Sequence, residues 1–229
     1  MNIGLLLFPK LTQLDLTGPF EVFVRAPGAK VHLVWKSLEP VAADTGLTIT
    51  PNATFATCPS CDVICVPGGI GTMALMEDEE TLAFLRRQAA GAQWITSVCS
   101  GSLVLGAAGL LQGYRSACHW SSLEFLPLFG AIPVGDRVVI DRNRASGGGV
   151  TAGIDFALTL VSRIHGEDAA RWIQLDMEYN PAPPFDSGSP ATADPGLVTR
   201  IREAKKAFLA RRREACERAA QQLRNRPAS

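Results

Sequence analysis

Cys99 stands where an apolar run, Trp94-Ile95-Thr96-Ser97-Val98, gives way to a stretch of small residues that begins Ser100-Gly101-Ser102 and continues Leu103-Val104-Leu105. A strand, a cysteine and a small-residue helix form the turn that projects a nucleophile over a sheet edge, as the Gly-x-Ser-x-Gly elbow does for serine. The start of the following helix favours a thiolate there, and the carboxyl edge of an open α/β sheet is where ligands bind. A buried structural thiol is the alternative, since free cysteines are common in cores. Placement at the junction, beside Ser100 and Gly101, favours the nucleophile.

A thiolate that attacks carbon needs donors for developing charge and an acid to deliver a proton. The segment VPGGIGT, residues 66–72, follows an apolar run and offers backbone N–H groups at Gly68, Gly69 and Ile70 for an oxyanion hole or substrate cradle. The same glycines equally suit a structural turn, and the phosphate-loop pattern is missing. Asp15, in QLDLTGP just past the first apolar run, is the candidate proton donor; partial burial near a thiolate would raise its pKa. Its alternative role is to cap a helix beginning near Pro19. Of the three histidines, His119 is the credible partner for Cys99, and a core or helix-start role suits it equally. Cys58-Pro59-Ser60-Cys61 matches C-x-x-C without a second pair, so a proline turn before a strand explains it better than metal or redox chemistry.

The elements that must position these groups alternate. Ile3–Phe8, Val31–Trp35, Val63–Val66 and Trp94–Val98 are apolar throughout, as strands covered on both faces are. Helices are expected over Pro19–Arg25, Glu77–Ala90, Thr151–Ile164 and Glu167–Met177, with one long helix over 196–225, so the class is α/β. Residues 196–229 carry ten Lys/Arg against three Asp/Glu, leaving twelve against nineteen in the rest of a chain whose formal net charge is zero. Without a helix-turn-helix pattern or interleaved aromatics, that basic tail, Arg211-Arg212-Arg213 included, reads as a solvated face on a packed or dimerising helix, not a nucleic-acid footprint. The six cysteines are scattered through 229 residues and read as reduced thiols. No stretch approaches the roughly 20 apolar residues of a membrane span. The start lacks a signal peptide's basic leader and cleavage site, so a cytoplasmic protein is expected.

Together these residues resemble the PfpI-like branch of the class I glutamine amidotransferase-like superfamily. The likeness runs through LLFPKLTQLDLTGPFEVF, DVICVPGG, SVCSGSLVLGAAGLLQG with HW close behind, SGGGVTAGIDFALTL and MEYNPAPPFDSGSP, and is strongest toward the isonitrile-hydrating members. It implies a flavodoxin-like α/β sandwich with a mainly parallel sheet, one domain over residues 1–229, usually homodimeric, with no cofactor and no metal. The implied reaction converts an isonitrile and water to an N-substituted formamide through a thioimidate on cysteine. The resemblance carries the catalytic cysteine to Cys99 and the essential acid to Asp15, where many relatives have glutamate. Ser100 stands where hydratases often have threonine and other relatives histidine, which argues against protease-like chemistry and leaves the Ser100 hydroxyl to guide the sulfur. The Gly69–Ile70 backbone would position substrate, and His119 would at most support the site. Gly147-Gly148-Gly149 leads into a helix expected near Cys99, so a bulky residue at Gly148 is expected to disturb the site.

Two other readings stay open. Similar elbows occur in AraC-type regulators, where a DNA-binding domain follows; one long helix after the core is too little for that domain, but a cysteine-based redox or ligand sensor fits. A glyoxalase- or deglycase-type enzyme would instead form a hemithioacetal on Cys99. Aspartate at position 15 favours hydration.

Overall fold

The structure, a computed structural model, describes residues 1–226; the last three residues of the expected 1–229 domain lie outside it. In its first half the elements run β1 (Asn2–Leu6), α1 (Gln13–Phe23), β2 (Lys30–Trp35), β3 (Val41–Ala42), β4 (Thr48–Ile49), β5 (Ala53–Thr54), β6 (Val63–Val66), α2 (Thr72–Leu75), α3 (Glu79–Ala89) and β7 (Trp94–Val98). Then follow α4 (Gly101–Ala107), β8 (Arg115–Ser116), a 3-10 helix (Trp120–Phe129), β9 (Ile132–Pro133), β10 (Val138–Asp141) and β11 (Arg144–Gly147). The chain closes with α5 (Ala152–His165), α6 (Glu167–Asp176), α7 (Pro195–Ala204) and α8 (Lys206–Arg224).

The uniformly apolar runs form the centre of a seven-stranded sheet in the order β10-β11-β7-β6-β1-β2-β5, parallel except for the β10–β11 pair. Ile3, Leu5, Val63, Val66, Ile95 and Val98 are buried because helices cover both faces. On one face α1 packs against α5, where Phe23 meets Phe156 edge to face with centroids 6.0 Å apart. On the other, α4 is enclosed by α2, α3, α8 and the 3-10 helix, which is why its small residues are buried all round. The chain leaves β1 toward β2 on one side and later returns as β6 on the other. A crevice therefore opens beyond the carboxyl ends of β1 and β6.

Two helix expectations are corrected. α1 begins at Gln13, six residues before Pro19, and keeps that proline inside it. The Pro19 ring sits against α5 where Gly153 has no side chain; a methyl at Gly153 would lie 2.8 Å from Pro19 Cδ. The 196–225 helix is two helices, α7 and α8, that meet at Lys205. α7 buries nothing, whereas α8 turns Arg212, Ala215, Cys216, Ala219 and Ala220 inward. The basic tail meets the acidic body there: Arg213 pairs with Glu124, Arg218 with Glu77 at 2.8 Å and Arg226 with Glu79.

Candidate active site

Three connections converge at the crevice: the start of α1 after β1, the glycine loop after β6 and the turn after β7. Cys99 holds that last turn with φ of 58°, a left-handed conformation that a non-glycine residue adopts only where surrounding structure enforces it. Its N–H donates to Gly147 O at 3.0 Å, which ties the turn to the end of β11. At Gly101 a methyl group would lie 2.0 Å from Val66 O, so the helix after the cysteine can start only with glycine.

Asp15 lies in the first turn of α1, fully buried, and does not cap a helix at Pro19. Its Oδ2 accepts from Gly68 N at 3.0 Å, its Oδ1 has no partner among the described residues, and the carboxyl faces the Cys99 thiol. Burial pushes its pKa up to about 7; the Cys99 and Gly68 hydrogen bonds oppose that rise and the Asp44 charge adds to it. Burial also holds the Cys99 thiol well up, followed by repulsion from Asp15 and Cys118, while the Ser100 N–H pulls it down. Thiolate and carboxylate in hydrogen-bonding contact cannot both be charged, so the pair keeps at least one shared proton through neutrality.

Gly68 is where the three parts of the site crowd together. A methyl there would lie 2.6 Å from Ser100 N, 2.7 Å from Asp15 Oδ2 and 2.8 Å from Cys99 Cβ. The glycine loop does not present a free pair of donors as expected: Gly68 N–H holds Asp15, and Gly69 N–H donates to Ser100 Oγ at 3.1 Å. Ser100 departs from expectation for the same reason. Its hydroxyl, fully buried, bonds Gly69 and receives Thr72 Oγ1 at 3.4 Å, so it pins the loop and does not guide the sulfur.

Cys99, Ser100, Gly69, Ile70, His119 and Arg212 help line a cavity of about 160 Å³. Ile70, 45% exposed, stands at its rim. His119 Nδ1 accepts from Ser121 N at 3.2 Å, which leaves the proton on Nε2; burial, helped by Lys205 and Arg212, lowers its pKa to about 4. The imidazole is therefore neutral. His119 and Val150 also border a larger cavity of about 490 Å³ on the side of Gly148. Gly148 is corrected as a point of close approach: a methyl there would find its nearest atom, Arg137 O, at an ordinary 3.6 Å.

Arg212 does not share the solvated face expected of the basic tail. Only 5% exposed, it reaches from α8 to donate to Ser122 Oγ at 2.9 Å and Gly69 O at 3.0 Å, with Phe208 under the guanidinium. The signal was spacing: Arg212 shares a helical stripe with Ala215, Cys216 and Ala219, the inward face of α8. Among the described residues no group of three or more His, Cys, Asp or Glu could hold a metal ion.

A family model described as the DJ-1/PfpI family matches residues 1–163. An isonitrile hydratase of Pseudomonas putida is 58% identical over 223 residues, covering 97% of this chain and 98% of its own. The crystal structure of a ThiJ/PfpI family protein from Pseudomonas syringae superposes with a TM-score of 0.91 at 48% identity, covering 94% of this chain and 90% of that one. An HTH-type transcriptional regulator of Pseudomonas aeruginosa is 34% identical over 176 residues, 73% of this chain but 47% of its own length.

Proposed function

The chain belongs to the DJ-1/PfpI family, and from that premise we propose that it is an isonitrile hydratase in which Cys99 is the nucleophile and Asp15 moves the protons. The observation that carries the reading is a strained thiol set against a buried carboxyl that holds its proton near neutrality. The likeness to an isonitrile hydratase along nearly the full length supplies the substrate class.

An isonitrile carries a lone pair and partial positive character on its terminal carbon, so that one atom accepts both a nucleophile and a proton. Cys99 sulfur bonds to that carbon as Asp15 delivers the shared proton to it, giving a thioimidate. Water then adds to the same carbon, with one of its protons going to Asp15 and the other to the nitrogen, and the tetrahedral intermediate expels the thiolate as the N-substituted formamide leaves. One acid with a pKa near the working pH serves both halves. Buried Asp15 meets that requirement, whereas an exposed carboxylate would hold too little of its acid form.

In this reading the cavity at Cys99 receives the isonitrile carbon and nitrogen, and the N-substituent extends past His119 and Val150 into the larger cavity. Arg212 is a positioning residue: its bond to Gly69 O fixes the loop whose N–H groups hold Asp15 and Ser100. The reading also carries a homodimer, which light scattering would report, and a cytoplasmic location, which six free cysteines suit.

The test is ultraviolet-monitored turnover of a simple aryl isonitrile, with the product identified by mass as the formamide. Turnover by the purified protein that disappears in Cys99→Ala and Asp15→Asn establishes reaction and roles together. An inert wild-type protein would overturn the hydratase reading and leave a sensor or a carbonyl enzyme on this fold.

A further inference from the structure

The Cys58-Pro59-Ser60-Cys61 turn takes no part in that reaction, yet it brings two sulfurs to 3.7 Å. It lies just before β6, at the amino edge of the parallel sheet and thus at the opposite edge from Cys99. Both sulfurs approach Pro59 O at 3.4 Å, so the carbonyl gathers them on one side of the turn. The turn is clamped from α3: Cys61 N donates to Gln88 Oε1 at 2.9 Å and Gln88 Nε2 donates to Pro59 O at 3.0 Å. Cys61 is buried against β1, where a methyl on Gly4 would lie 2.9 Å from its sulfur, while Cys58 is half-buried. The proline turn accounts for the bend but does not require two thiols in contact at its ends.

We propose that Cys58 and Cys61 form a second reactive site, a peroxide-responsive dithiol that closes reversibly to a disulfide. Cys58 is the attacking sulfur because it is the more accessible. A hydrogen bond from Cys61 also holds its thiol below the ordinary range, while that bond and burial hold Cys61 up. Cys58 thiolate attacks one oxygen of hydrogen peroxide, forming an S–O bond as the O–O bond breaks and hydroxide leaves. Cys61 sulfur then attacks Cys58 sulfur. The S–S bond forms, the S–O bond breaks, and water departs with the proton of Cys61. Two thiols and one peroxide thus become one disulfide and two waters, and a thiol reductant reverses the change. The sulfurs need only close to about 2.0 Å, a distance side-chain rotation spans when the backbone already holds them together.

The experiment exposes full-length wild-type and Cys99→Ala proteins to hydrogen peroxide, quenches with iodoacetamide and maps the cysteines by peptide mass spectrometry. Loss of both free thiols at 58 and 61, an intrachain linkage between them in both proteins, and return of the thiols with dithiothreitol are expected. In Cys61→Ser a dimedone adduct should accumulate on Cys58, whereas Cys58→Ser should leave Cys61 a free thiol. Circular dichroism confirms that each variant is folded, and isonitrile turnover of Cys58→Ser should match wild type. The proposal is overturned if both thiols remain alkylatable after a glutathione reference in the same tube has been consumed, or if the linkage joins different molecules.

Discussion

Cys99 and the Cys58–Cys61 pair sit at opposite edges of one sheet, and their surroundings assign them different chemistry. Cys99 follows the carboxyl end of β7, is held at a left-handed φ and shares its proton with a carboxyl. The pair precedes the amino end of β6, in an unstrained proline turn, and each thiol answers chiefly to the other. A strained turn backed by an acid suits addition to an electrophilic carbon and release from it. Two adjacent thiols with no acid between them suit oxidation. The fold separates the two by putting ligand-binding loops at one edge only.

The largest effects should break this comparison at the Cys99 edge. Cys99→Ala should reduce isonitrile turnover to background, and Asp15→Asn should lower kcat/KM by roughly 10²–10⁴-fold, the range expected for a lost general acid. Cys58→Ser should stay within about twofold in the same assay. The pH profile sharpens the contrast. Turnover should rise with pH up to about 7 and then level off, where the pair settles at the single shared proton that the attack uses, whereas alkylation at Cys58 should keep rising with pH as thiolate forms. Asp15 also sets a stability trend of definite sign. Between its ordinary value of 3.8 and about 7 the folded protein keeps a proton that the unfolded chain has lost. Stability should therefore decline as pH rises through that window and level off above it. Asp15→Asn can still accept from Gly68 N–H, so it should remove the decline and gain on the order of a few kcal/mol above pH 7 in urea denaturation.

Next in size is Gly68→Ala. The added methyl meets Asp15, Cys99 and Ser100 backbone within hard contact, and the two bonded neighbours cannot both give way. A fall in turnover of about 10²-fold is expected, with a loss of about 1–3 kcal/mol of stability from overpacking. Arg212→Met follows. Methionine keeps the stem's packing and removes the donors to Gly69 O and Ser122 Oγ, leaving a buried carbonyl with one partner fewer. About 2 kcal/mol of stability and on the order of tenfold in kcat should be lost, with a smaller change in KM.

The sequence made the elbow legible because its signal is local: an apolar run, one cysteine and small residues follow one another within a single strand–helix unit. The same holds for β6, β7, α5 and α6, whose bounds follow from runs and periodicity within a residue or so. What escaped depends on distant partners. Pro19 reads locally as a helix start, and only the missing side chain of Gly153 on α5 shows why α1 can carry it internally. The Ser100 hydroxyl was free to point at sulfur until the glycine loop, thirty-one residues away, took it. Arg212 looked solvated because its charge outweighed its place on an apolar stripe; Gly69 O and Ser122 Oγ, far away in the chain, make its burial possible.

The smallest expected effect tests the boundary of the site. Gly148 follows the strand whose last carbonyl anchors Cys99 N–H, so its position in the chain suggests a residue as constrained as Gly68. The distances separate the two glycines: a methyl at Gly148 reaches no atom closer than 3.6 Å, and it would border the larger cavity away from the thiol. Gly148→Ala should therefore leave kcat for a small isonitrile within about twofold of wild type and stability within about 0.5 kcal/mol. Any change should appear in KM and grow with the size of the N-substituent, since the added carbon occupies space that the proposed pose assigns to that group. A fall in kcat as large as that of Gly68→Ala would show that the Gly147–Gly149 segment governs the elbow. In that case the Gly147 carbonyl bond to Cys99, and not the crowding at Gly68, would be what holds the nucleophile in place.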